Sequence, residues 1–367
     1  MTAVKALIVV AKRNSGLTPF SLWKYGLLVV IALTVSPNAN AMDVATEIVT
    51  LGEDEDIRGL DFSPDGKFLA TTSTQTLHVH IWDWRNQRIV RTFERPQGSD
   101  LLTTEPIRFS PDGRLLASCS SRSGPNYSVT RIWNTATGEF VHDIEEPNNG
   151  SCQAIVFSPD GKHLIRAMSR PARALESSLI VHDTTTWEAV WSLRTSPFYP
   201  DHLEISPDGA LVALVGTVIV PAVRIEGQFR ITPAKPQIVI VDLIHREVVR
   251  TIPASAERLA WSPDGARLVA AAGLETQIFD ARSGEIVSIE KGEGGHALAR
   301  YTPDGKYLIE RINLRVKIWD GQHRDLYQEI PAAPGVLAVS RDGHYFAMGG
   351  DKKVIVWKLA ETPSSAR

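Results

Sequence analysis

The stretch "FSPDGKFLA", Phe62 to Ala70, decides the fold, because the chain writes it seven times. Its centre recurs as SPDG at Ser63, Ser110, Ser158, Ser206 and Ser262, as TPDG at Thr302 and as SRDG at Ser340. Repetition at spacings of 38 to 56 residues marks an architecture built from one supersecondary unit. Within the unit, Pro sets φ for the second position of a tight turn, Asp suits the next position, and Gly tolerates positive φ.

The flanks make each turn a hairpin. Before it, apolar residues alternate, as in Leu60/Phe62, Ile107/Phe109, Ile155/Phe157, Leu203/Ile205, Leu259/Trp261 and Leu337/Val339, with a weaker Ala299/Tyr301. Period two means strands. Second strands follow ("KFLATTS", "RLLASCS"), then third strands ("HVHIWDW", "VTRIWNT"). Six of the seven units add a fourth, such as "RIVRTF" and "EFVHDI". One four-stranded sheet cannot bury two apolar faces alone. Radial stacking buries each sheet against its neighbours, so the expected fold is all-β, seven blades of four antiparallel strands. The seventh unit stops after "VIVWKL", and "ATEIVTL", Ala45 to Leu51, is a strand in surplus. Placing it as the outer strand of the last blade closes the ring.

On these residues the chain resembles the WD-repeat family of seven-bladed β-propellers over about residues 44–359. The Trp-Asp signature stands at Trp82-Asp83 and Trp319-Asp320. It varies to Trp133-Asn134 and Trp357-Lys358, and degrades to His182-Asp183, Val241-Asp242 and Phe279-Asp280. The family's Gly-His before the first strand is mostly missing, and Gly295-His296 lies too close to the sixth turn to fill that role.

Repeat proteins carry function where their copies differ. From turn residue to Trp-equivalent the spans are 19, 23, 24, 35, 17, 17 and 17 residues. The excess lies between second and third strands of blades two to four: 121–128, 169–178 and 216–236, the last read as a protruding hairpin. The links at 94–106, 145–152 and 194–202 are also long and emerge on the same face. These segments hold Arg122, Tyr127, Arg170, Arg173, Phe198, Tyr199, Arg224, Phe229 and Arg230. Arg and aromatic residues are enriched at interface hot spots, so these nine are the candidate partner-binding residues. The competing reading is that such loops drift and stay solvated.

The first 41 residues carry Lys5, Lys12, Arg13 and Lys24, no acidic residue, the apolar run "YGLLVVIALTVS" and "ANA" at 39–41. That is the pattern of a secretory signal peptide cleaved before Met42. An uncleaved membrane anchor is the alternative. The expected organisation is a signal peptide at 1–41, the propeller at 42–360 and a disordered tail at 361–367. Removing the leader shifts the formal charge from −3 to −7, which disfavours general nucleic-acid binding. The expected location is the periplasm or the medium, with no stable membrane span after cleavage.

The only cysteines, Cys119 and Cys152, are placed near the long-loop face of adjacent blades. An oxidising compartment favours their pairing; strict disulfide geometry leaves buried small side chains as the alternative.

Chemistry is sparse. There is no nucleophile elbow, phosphate loop or dinucleotide motif. His78 and His80 share one side of a strand, but two ligands do not make a metal site. Asn126 and Asn149 open glycosylation-type triplets read as chance. Two functions remain. One is a monomeric, non-catalytic scaffold with a protein partner and no cofactor or metal. The other is an enzyme or redox accessory holding a small ligand or cofactor over the central channel.

Overall fold

Each turn is held by its serine. Ser63 Oγ donates to Asp65 Oδ1 at 2.6 Å and accepts from the Phe68 N–H at 2.9 Å. The Gly66 N–H closes onto Ser63 O at 2.8 Å, with Gly66 at φ 67°. The same hydroxyl exchange recurs in the other six copies. Thr302 is an acceptable variant because it keeps the hydroxyl.

The turns also touch one another. A Cβ on Gly113 would stand 3.3 Å from Pro64 Cδ, and one on Gly209 3.1 Å from Pro159 Cδ. Each glycine thus supplies both a left-handed backbone and room for the neighbouring proline. In blade seven Arg341 replaces that proline and donates instead to Pro111 O at 3.2 Å. The motif repeats because the turns form one ring of contacts.

These features come from a computed structural model. It describes residues 44–52, 56–73, 78–93, 101–122, 128–146, 150–170, 176–195, 198–218, 223–225, 228–230, 235–273, 275–291, 297–323, 325–332 and 335–361. The expected leader, 1–41, and positions 362–367 of the expected tail lie outside the described residues.

Seven four-stranded antiparallel sheets form the blades. Their first, innermost strands are Ile57–Phe62, Leu101–Phe109, Ser151–Phe157, Phe198–Ile205, Arg258–Trp261, Ala297–Tyr301 and Val336–Val339. Blade seven runs Val336–Val339, Tyr345–Gly350, Lys353–Leu359 and then Ala45–Gly52, with Leu51 opposite Val354 and Ala45 opposite Leu359. The surplus N-terminal strand is therefore the missing outer strand. Ala45 N–H also donates to Gln328 Oε1 of blade six at 2.7 Å. Among the described residues no helix is long and apolar enough to cross a membrane.

Seven apolar clusters fill seven blade-to-blade interfaces. Ala70, Ile81 and Phe93 of blade one meet Ile107, Phe109 and Trp133 of blade two. Leu51, Val354 and Val356 of blade seven meet Ile57, Phe62 and Trp84 of blade one. With as many interfaces as blades the ring has no open end, and each fully buried Leu or Phe contributes about 1.5–3 kcal/mol relative to exposure.

The acidic half of the Trp-Asp signature caps the turn between third and fourth strands. Asp183 Oδ1 accepts from the N–H groups of Thr185 (2.7 Å) and Thr186 (2.9 Å), and Asn134 Oδ1 from those of Ala136 and Thr137. Lys358 can follow Trp357 because there the chain makes no such turn: the outer strand arrives from the other terminus.

Candidate functional site: the loop face and the central channel

Links between blades and connections between second and third strands share one face, opposite the SPDG turns. There blades two to four rise highest. In blade two the ladder reaches Leu101↔Arg122 and Ser121↔Ser128, in blade three Arg170↔Glu176, and in blade four Phe198↔Val218↔Lys235. Blade five stops at Arg258↔Ala271↔Thr276. Much of the excess sequence therefore lengthens strands. Past Val218↔Lys235, Val223–Ile225 and Gln228–Arg230 form a separate two-stranded hairpin.

One candidate residue is corrected. Phe198 is 1% exposed and packs with Ile165, Leu179 and Val212 between blades three and four. The blade-four ladder continues through it, turning an apparent loop aromatic into core, so it offers nothing to a partner. Tyr199 is half-buried, and its hydroxyl accepts from Gln153 Nε2 at 2.9 Å, tying blade four to blade three. Arg122, Arg170, Arg224, Phe229 and Arg230 lie in described strands, of which the backbone alone is described. Tyr127 and Arg173 lie outside the described residues.

Cys119 and Cys152 are joined as a disulfide across the interface of blades two and three, with Cα atoms 6.0 Å apart. Both are buried. Cys119 sits inside its strand, which runs on to Arg122, and stands opposite Thr130. The Cys152 N–H donates to Ser128 Oγ at 3.0 Å.

The channel inside the ring holds residues that strand periodicity cannot reveal. In blades one, three and four the register of the innermost strand jumps from Ile57 to Gly59, from Cys152 to Ala154 and from Pro200 to His202. The extra residues are Arg58, Gln153 and Asp201, and all three line a channel cavity of about 380 Å³. A bulge of this kind re-aims a side chain while leaving the flanking ladder intact. Its only trace in sequence is a break in apolar alternation, at Arg58-Gly59 and Asp201-His202.

Toward the turn face the channel has a charged floor. Arg300 Nη2 lies 2.9 Å from Glu204 Oε1, and its Nη1 donates to Leu259 O at 3.0 Å. Asp61 Oδ2 accepts from the Phe109 N–H at 2.8 Å; burial pushes its carboxyl up, against the pull of Arg108. Above the floor His202 is 6% exposed. Its Nδ1 accepts from the Leu259 N–H at 3.3 Å, so in the neutral ring Nε2 carries the proton. Burial, reinforced by Arg258, Arg300 and Arg108, holds its pKa well below the usual histidine value. His202 is thus neutral at pH 7, and its buried Nε2 faces Glu204 Oε1 at 3.5 Å, too far for a well-formed hydrogen bond.

Among the described residues no group of three or more His, Cys, Asp or Glu side chains is placed to hold a metal ion. His78 and His80 have ring centroids 5.9 Å apart.

Comparison with known proteins agrees with this architecture. The family described as "WD domain, G-beta repeat" matches residues 45–83 and 328–358. U3 small nucleolar RNA-associated protein 12 of Saccharomyces cerevisiae is 30% identical over 114 residues, 31% of this chain and 11% of that protein. Transducin beta-like protein 3 of Bos taurus is 26% identical over 219 residues, 58% of this chain and 23% of that protein. A WD repeat-containing protein of Synechocystis is 27% identical over 154 residues, 37% of this chain and 40% of that protein. The chain spans less than half the length of each of these relatives. The repeat matches and the seven-bladed ring support the WD-repeat family, and relatives of this kind suggest a general role as protein-interaction scaffolds.

Proposed function

We propose that this protein is an exported, non-catalytic scaffold that offers the loop face of blades two to four to a protein partner. The observation that carries the reading is the asymmetry of that face: three adjacent blades have lengthened ladders, and the tallest is followed by a further hairpin. A raised, strand-braced sector is better suited to binding than free loops, since less conformational entropy is lost on association. Arg122, Arg170, Arg224, Phe229 and Arg230, with Tyr127, Arg173 and the half-buried Tyr199, are the residues assigned to contact. The basic leader with its apolar run and A-x-A site supports export, and the paired cysteines suit an oxidising compartment.

The test replaces residues 219–234 with a two-residue turn joining Val218 to Lys235, a pair already in register. The shortened protein is expected to melt within a few degrees of the parent and to lose its partners in a comparative pull-down from the envelope fraction. Undiminished capture by a folded, shortened protein would overturn the assignment.

A further inference from the structure

The central channel carries more polar chemistry than a scaffold needs. Its cavity wall holds four guanidinium groups, those of Arg58, Arg108, Arg258 and Arg300, and one carboxylate, that of Asp201. Two further carboxylates stand at the floor and are occupied: Glu204 by Arg300, Asp61 by the Phe109 N–H. His202 is neutral and buried, with its Nε2 directed at the floor, 3.5 Å from Glu204 Oε1. Leu60, Ile155 and Leu337 are among the apolar residues of the wall.

We propose that this channel binds a small organic acid, through a carboxylate or phosphate head set between Arg58 and Arg258. The inference goes beyond the scaffold reading and does not rest on it. Guanidinium groups match the oxygens of such a head in geometry as well as charge. A cavity of about 380 Å³ falls within the usual range for small-molecule sites, and the apolar wall suits a short carbon skeleton. The mouth limits the occupant. Asp56, Glu257 and Asp351 line it on the loop face beside Arg311, so a long polyanion would meet carboxylates before reaching the arginines. The three bulges complete the case: Arg58 and Gln153 reach the cavity through insertions that add nothing to blade pairing, and Asp201, from the third, lines it within reach of the Arg258 charge.

The test is calorimetric titration of the full chain with succinate and with inorganic phosphate, against sodium chloride of matched ionic strength. At least one probe is expected to bind saturably at one per chain. Binding by succinate alone would assign a carboxylate head, and by phosphate alone a phosphate head. The double substitution Arg58→Gln, Arg258→Gln is expected to weaken binding at least tenfold. Arg341→Gln, on the turn face, is expected to leave it unchanged. Arg58→Gln alone, at an exposed bulge residue, serves if the double variant does not fold. The proposal falls if neither probe binds beyond the chloride control. It falls equally if the Arg58 and Arg258 variants bind as the parent does, or if Arg341→Gln weakens binding as much as they do.

Discussion

Arg300 of blade six reaches Glu204 of blade four across the innermost strand of blade five, with Nη2 and Oε1 2.9 Å apart and Nη1 on Leu259 O. Three blades are joined by one side chain at the channel floor. Arg300→Met would leave Glu204 recessed beside the neutral His202, without its cation. Breaking a fully buried pair costs about 3–5 kcal/mol, so with both side chains about one-fifth exposed a loss of about 2 kcal/mol is expected in urea unfolding. Adding Glu204→Gln should restore part of it. A loss below about 0.5 kcal/mol would make the pair no stronger than a surface salt bridge.

The turn serines should be replaceable by threonine and not by alanine. Ser158→Ala removes both the donor to Asp160 and the acceptor for the His163 N–H. A cost of about 1–2 kcal/mol is expected, against less than about 0.5 kcal/mol for Ser158→Thr, which copies Thr302. Denaturant midpoints of the two variants check this; equal midpoints would contradict it.

Acid should weaken the ring through the same turns. The Ser158 hydroxyl and the Lys162 N–H hold the Asp160 carboxyl below its usual value, and Ser206 and Ser262 act likewise on Asp208 and Asp264. A lowered folded-state pKa gives stability that is present above the unfolded value of 3.8 and is lost as pH falls through the folded value. Melting temperature should therefore be flat from pH 7 to about 5 with respect to these groups and drop steeply below about 4. Asp→Asn at positions 160, 208 and 264 together should lower stability at pH 7 and flatten that drop; an unchanged acid limb would refute the assignment.

Much of the ring is readable from the chain because its determinants are local and repeated. A turn that needs Pro, Asp and Gly, flanked by period-two apolar residues, leaves the same trace each time. The closing role of Ala45–Gly52 follows from counting strands. The channel is less legible. Arg58 and Asp201 look like interruptions of a strand, and Gln153 like an ordinary polar strand residue, because a one-residue bulge shows only in the register of the partner strand. Phe198 misleads for the opposite reason. It sits in "SPFYPDH", rich in turn formers, yet the ladder runs through Pro200 and places Phe198 in the core.

Deleting residues 44–52 should destabilise the whole ring. The deletion exposes the edge of Lys353–Leu359 and removes Leu51, which is 1% exposed, from the interface of blades seven and one. Thermal melts should show a drop of ten degrees or more, or aggregation. Leu51→Ala alone should cost about 2–5 kcal/mol. A truncated protein that melts with the parent would contradict closure by this strand.

The chain purified without reductant is expected to show no free thiol when denatured, with its monomeric mass retained. The disulfide spans a separation of 33 residues, and constraint of the unfolded chain gives an upper contribution of about 3–4 kcal/mol. Two titratable thiols would remove it.

The role of the loop face is tested most directly by position-specific photo-crosslinking in the exporting cell. A crosslinking residue is placed at Gln228 in the hairpin, at Arg122 at the blade-two rim, or at Lys67 or Lys162 on the opposite, turn face. The expected result is a partner adduct of one mass from positions 228 and 122 and none from 67 or 162. Adducts from the turn face, with none from 228 or 122, would contradict the assignment of the raised sector as the binding surface.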